Sequence, residues 1–168
     1  MTLDPLSVPV QRLLGQRCLY AGKLADAEAA LKKTLELNPH GGFTHYWLGM
    51  WHLASGRRDQ ALTVFKREVN DVFSLLGVAV GEHALGHLPE AQSALRELTA
   101  KHADAAAFQI AGAHAYMGDA DRAFEWLERA DAQRDPGLVE VKAEILLCNL
   151  YGDRRWRVFL EKMGLESH

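Results

Sequence analysis

Apolar residues recur at helical spacing along most of this chain, and glycine interrupts them at regular intervals. Leu13, Leu14, Cys18, Leu19 and Tyr20 share one helical period; Gly22 breaks it, and Leu24, Ala27, Ala30, Leu31, Thr34 and Leu35 resume it. Asn38-Pro39 ends that second run, because the residue before a proline is pushed out of helical conformation. The same pattern predicts further helices over residues 43–55, 58–69, 72–85, 88–101, 104–117 and 120–132, paired around Gly56, Gly86 and Gly118. Each glycine is expected to end a first helix with positive φ, a conformation open to glycine at no steric cost.

The pairs share a module. Gly22, Gly56, Gly86 and Gly118 each stand five residues ahead of an alanine (Ala27, Ala61, Ala91, Ala123), and a large apolar residue follows four later (Leu31, Phe65, Leu95, Leu127). The alanines are 34, 30 and 32 residues apart, which predicts a stacked array of similar units rather than a globule around one reaction centre. Small residues allow helices to cross closely. Ala27, Ala61, Ala91 and Ala123 supply them in second helices, and Gly15, Gly49, Ala79 and Ala111 in first helices. Asp59, Asp119 and Asp121 fall near the starts of second helices, where negative charge is favourable.

Beyond Ala132 the pattern changes. Asp135-Pro136 and Asp153 read as N-terminal caps, residues 138–150 as a strongly apolar helix, and Trp156, Phe159, Leu160 and Met163 as the stripe of a last helix ending at Gly164. A closing pair of helices would cover the last apolar face of an array.

These residues resemble tetratricopeptide repeats. The second unit offers His45, Leu48, Gly49, His52, Ala61 and Phe65 at the motif positions; the first offers Gln11, Leu14, Gly15, Cys18, Ala27, Leu31 and Pro39. Leu75, Val78, Ala79, Glu82, Ala91 and Leu95 follow in the third, and Ala107, Ile110, Ala111, His114, Ala123 and Leu127 in the fourth. The resemblance implies an all-α fold: a right-handed α-solenoid of four helix-turn-helix repeats (8–41, 42–71, 72–103 and 104–135) and a C-terminal capping helix pair (136–168). Leu3-Asp4-Pro5 stands 34 residues ahead of the Pro39 boundary, so residues 1–7 are expected to be the tail of a preceding repeat or a linker. The stretches Asp135–Val139 and Asp153–Leu165, with Tyr116–Asp119 and Phe124–Ala130, are similar to the tetratricopeptide segments of bacterial multidomain signalling proteins. Those proteins carry adenylate cyclase, transcriptional-activator or Ser/Thr kinase domains, and the likeness implies the C-terminal regulatory segment of such a protein.

In such arrays the first helix of each repeat lines a concave groove. Carried over by position, the groove is Arg12, Gln16, Leu19 and Tyr20; Phe43, Tyr46, Met50 and Leu53; Phe73, Leu76, Val80 and His83; and Phe108, Gly112, Ala115 and Tyr116. Its apolar character implies a protein or peptide partner with an apolar segment, which another part of the parent chain or a second copy in a homodimer could also supply. A clamp for a C-terminal carboxylate is disfavoured, because Trp47, Phe73 and Gly77 occupy positions where its polar residues would continue from Arg12 and Gln16.

Composition narrows the classes. A net charge of −3 gives no reason to expect nucleic acid or an anionic membrane as partner. No leader-like segment or membrane span is visible, and the expected location is the cytoplasm. Cys18 and Cys148 sit apart in apolar helical contexts and read as small buried hydrophobes in a reducing compartment rather than as a disulfide or a metal site. Eight histidines raise the remote alternative of a helical metal-binding enzyme. However, His45, His52 and His114 fall where the repeat packs aromatics, and His83 and His87 are separated by the helix break at Gly86. No nucleophile elbow or phosphate loop surrounds Ser55, Ser74, Ser93 or Gly112–Gly118. The reading is a non-enzymatic interaction scaffold without cofactor or metal, with homo-oligomerisation of its parent protein as the alternative. The basic cluster Arg154, Arg155 and Arg157 around Trp156 reads as the solvated face of a capping helix, against the alternative of a contact with an anionic partner.

Overall fold

Repeating local signals give repeating hairpins. The computed structural model describes residues 7–165, so the expected repeat remnant at Leu3-Asp4-Pro5 lies outside the described residues. Among these, the chain is all-α with no strand: α1 (Val8–Tyr20), α2 (Leu24–Leu37), α3 (Thr44–Ala54), α4 (Arg58–Phe65), α5 (Asp71–Leu85), α6 (Leu88–His102), α7 (Ala107–Tyr116), α8 (Ala120–Gln133) and α9 (Arg154–Lys162). Two 3-10 segments, Pro136–Glu140 and Ile145–Leu150, precede α9. The chain divides into two compact units, with the division inside α6 between Glu97 and Leu98.

Gly22, Gly56, Gly86 and Gly118 all have positive φ, from +70° to +83°. At each, the following residue's N–H reaches back five residues: Lys23 to Cys18, Arg57 to His52, His87 to Glu82 and Asp119 to His114, at 2.8–2.9 Å. This closure satisfies the last carbonyls of the helix and turns the chain into its partner. Asp135 N to Ala130 O makes the same closure after α8, but there the left-handed residue is Arg134, at φ +55°.

In the first unit α1 packs on α2, α2 on α3, α3 on α4, and α4 on α5. The glycines set the separations. A Cβ on Gly15 would lie 2.6 Å from Leu31 Cγ, and one on Gly49 or Gly77 would collide with the Phe65 ring. Phe65, fully buried on α4, therefore wedges between backbone of α3 and of α5. The pairing role expected for Gly49 holds, and Gly77 takes an equivalent seat on α5. Trp51 Nε1 also donates to the Leu24 carbonyl at 2.8 Å, tying α3 to the start of α2.

In the second unit α7 packs on α8. Ala107, Ala111, Ala115, Ala123, Leu127 and Ala130 share a core with Leu138, Val141, Leu147, Leu150 and the α9 residues Trp156, Phe159 and Leu160. Residues 138–150 do not form the single helix that their apolarity suggests. Leu138, Val141, Glu144, Leu147 and Leu150 are all buried and stand three apart. A 3-10 helix has three residues per turn, so this spacing keeps one stripe turned inward through two short segments. Asp135 and Glu144 start the two segments by accepting from Gly137 N and Leu146 N at 2.8 and 3.0 Å.

Of the basic cluster on α9, Arg155 is ion-paired to α8 and Arg157 to Glu161 of its own helix, with Trp156 packed inward. Arg155 reaches Asp121 and Asp153, both at 2.7 Å, and lies over the Phe124 ring at 4.4 Å. The Arg155 hydrogen bonds hold the Asp153 carboxyl down at about 2. Lys162 bridges Asp131 and Glu128, which push its ammonium up to about 12.

Candidate functional site on the first helices of the N-terminal unit

The first helices of the first unit bring their aromatic residues into one connected row. Arg12 of α1 lies 5.3 Å over the Phe43 ring; Phe43 meets Phe73 of α5 edge-on at 5.0 Å, and Phe73 meets Tyr46 of α3 at 4.9 Å. Tyr46 contacts Trp47 at 5.1 Å, and Trp47 meets Tyr20 of α1 at 5.6 Å and 85°. The row thus leaves α1 at Arg12, crosses α3 and α5, and returns to α1 two helical turns later. Near-perpendicular rings place the positive edge of one against the negative face of the next. Gln16 Nε2, between the two ends on α1, donates to Tyr20 Oη at 3.3 Å.

The start of α3 is aimed by a buried carboxylate. Glu68, just past α4, accepts from Phe43 N, Tyr46 N and Asn70 N at 2.9, 3.1 and 2.8 Å. Those amides are helix-terminal donors without an intrahelical partner, and negative charge is favourable there. Phe43 itself has φ +71°, an unusual backbone for a bulky residue, and the Glu68 bond to its N–H holds it there. Asn70 accepts from Phe73 N at 3.2 Å and so fixes the start of α5. The second unit repeats the device: Asp135, after α8, accepts from Phe108 N at the start of α7 at 3.0 Å. Burial draws the Arg12 guanidinium below its ordinary range, and the Glu68 charge opposes that shift.

The expected groove residues separate by exposure. Arg12, Tyr20, Phe43, Phe73, His83 and Tyr116 are half-buried. Gln16, Tyr46, Met50, Leu76 and Val80 are buried and form the layer beneath the row; Tyr46, at 1% exposure, is a packing residue. Phe108 does not line an open face. It is buried in the second unit's core, against Gly137, where a Cβ would approach its ring to 2.6 Å. Gly112 faces Leu146, and Asn149 Nδ2 donates to the Ala115 carbonyl at 3.0 Å, so Ile145–Leu150 covers this part of α7. The row's return through Trp47 and the carboxylate seats at Glu68 and Asp135 were missed in the sequence reading. The available signal was an acidic residue 25 or 27 positions after the start of a first helix, immediately beyond its partner helix.

The histidines are scattered. His45, His52 and His114 are drawn below the ordinary imidazole range, chiefly by burial. His87 Nδ1 and Lys66 Nζ meet Glu82 at 2.8 and 3.2 Å. Burial works to raise the Glu82 carboxyl, but these two partners outweigh it and hold it below its ordinary value. Among the described residues no three His, Cys, Asp or Glu side chains converge as a metal-ligand set, and no helix is long and apolar enough to cross a membrane.

Residues 12–71 match the family model of the tetratricopeptide repeat. That stretch runs from within α1 through α4 to the first residue of α5 and holds most of the aromatic row. No curated protein and no solved structure matches the chain significantly. Tetratricopeptide repeats generally mediate protein–protein interaction and are typically non-catalytic.

Proposed function

We propose that this chain is a non-enzymatic protein-interaction scaffold that binds an apolar peptide or helix on the aromatic row of α1, α3 and α5. The carrying observation is the row itself: four half-buried groups, Arg12, Tyr20, Phe43 and Phe73, stand over a packed layer of Gln16, Tyr46, Trp47 and Met50. Rigid rings already held by their neighbours lose little freedom when a ligand covers them, so the apolar area they bury counts toward affinity. Arg12 supplies positive charge at the rim, which favours a segment carrying an acidic residue beside its apolar anchor. The likeness of the C-terminal stretches to bacterial signalling proteins supports a regulatory scaffold of such a protein, acting in the cytoplasm.

Selection from a displayed random-peptide library tests the proposal, followed by calorimetry with the enriched peptide. Enriched sequences are expected to share an aromatic or large aliphatic anchor. Tyr20→Ala and Phe43→Ala should each weaken binding by about tenfold, the scale of a lost aromatic anchor, with the helical circular dichroism unchanged. Equal affinity for both variants would reject the aromatic row as the site.

A further inference from the structure

We infer that Phe43 is a two-state element: its left-handed backbone is the state that completes the aromatic row, and release of that backbone takes its ring out of the row. The inference rests on the reading of the row as a ligand site. The residue that starts each other first helix has negative φ: Ser7 at −70°, Asn70 at −79° and Ala106 at −139°. Phe43 holds the same place at the start of α3 with φ +71°. Starting a first helix therefore does not call for the strained conformation, and a bulky residue held in it points to a role at the site.

The strained state is held by a few specific contacts. Glu68 Oε1 accepts from Phe43 N at 2.9 Å, and the ring is kept between Arg12 Cζ at 5.3 Å and the Phe73 ring at 5.0 Å. The ring itself is only half-buried, and Tyr46 closes the core beneath it. Immediately ahead in the chain stand Gly41 and Gly42. Glycine takes either sign of φ at little cost, so this pair absorbs the backbone change that a relaxed Phe43 requires. On release Phe73 keeps its contact with Tyr46, but Arg12 loses the ring it lies over, and the row is cut from the start of α1. A ligand that contacts Phe43 within the row binds the left-handed state alone, so binding and the Phe43 equilibrium are linked.

Fluorine NMR of the full chain, with para-fluorophenylalanine placed at position 43 alone, tests the inference. Without peptide, the expected spectrum has a major resonance and a minor one of about 1–10% of the intensity, the range of a low-lying second state. Glu68→Gln keeps the side-chain length and removes the charge. It should raise the minor-to-major ratio by about tenfold, the scale of one charge-assisted hydrogen bond. Gly42→Ala should lower that ratio by about threefold by stiffening the hinge; the added Cβ has room, with its nearest neighbour 3.8 Å away. The peptide enriched by library selection should deplete the minor resonance at saturation. The spectra without peptide stand apart from the reading of the row as a ligand site, so failure of one is distinguishable from failure of the other. One resonance in both the unsubstituted chain and Glu68→Gln, a ratio that neither variant moves, or a minor resonance that persists under saturating peptide would each overturn the inference.

Discussion

At the scale of single residues, two backbone positions show what left-handed geometry costs. Gly86 has φ +83° with open space around the missing Cβ, so its conformation alone calls for glycine. Gly86→Ala should destabilise the protein by about 1 kcal/mol, read by chemical denaturation. Arg134 takes the same conformation after α8 with a full side chain, so Arg134→Gly should stabilise by roughly 0.5–1 kcal/mol. No gain at Arg134 would mean that its side chain compensates the strain. Glu68 is a different case, because its carboxylate serves three amides across the α3–α4 hairpin and the turn into α5. Glu68→Ala should cost about 2–4 kcal/mol, the range for stranding buried donors of a charge-assisted acceptor. It should also weaken peptide binding, because Phe43 loses its anchor.

Among helical elements, the decisive contact is Phe65 seated between Gly49 and Gly77. Gly77→Ala should destabilise by about 1–3 kcal/mol through overpacking, and in a double-mutant cycle Phe65→Leu should recover part of that loss. Additive effects in that cycle would remove Phe65 as the spacer between α3 and α5. The hairpins were legible in the sequence because their causes are local: Gly22, Gly56, Gly86 and Gly118 act within one turn, and Asn38-Pro39 acts on its own backbone. The closing segment was legible only as apolar. Leu138, Val141, Leu147 and Leu150 fit a three-residue period, yet that period differs little from a helical one over so few turns, and Glu144 on the buried stripe gave no warning. The aromatic row was half legible. Its members fall on the first helices by local period, but their order in space, and the reach of Glu68 back to Phe43, depend on contacts more than twenty residues apart. Phe108 was misread for the same reason, since the chain that covers it arrives from Asp135 onward.

For the whole molecule, the histidines predict a definite response to acid. His45, His52 and His114 are held below the ordinary imidazole value in the folded chain, so the unfolded chain takes up protons first as pH falls below about 6.5. Stability should therefore drop between pH 7.5 and 5.5, measured by thermal melting, and replacing the three by glutamine should flatten that slope. Glu82 and Asp153, both held below their ordinary values, contribute stability above the unfolded carboxylate range and lose it only at lower pH. A melting temperature unchanged down to pH 5.5 would show that the imidazoles accept protons in place.

The central claim concerns where a ligand sits. Chemical-shift mapping of the full chain with the selected peptide tests it most directly. The account predicts the largest changes at Arg12, Tyr20, Phe43 and Phe73 and the amides beside them. Changes confined to α2 and α4, or to the second unit, would contradict it.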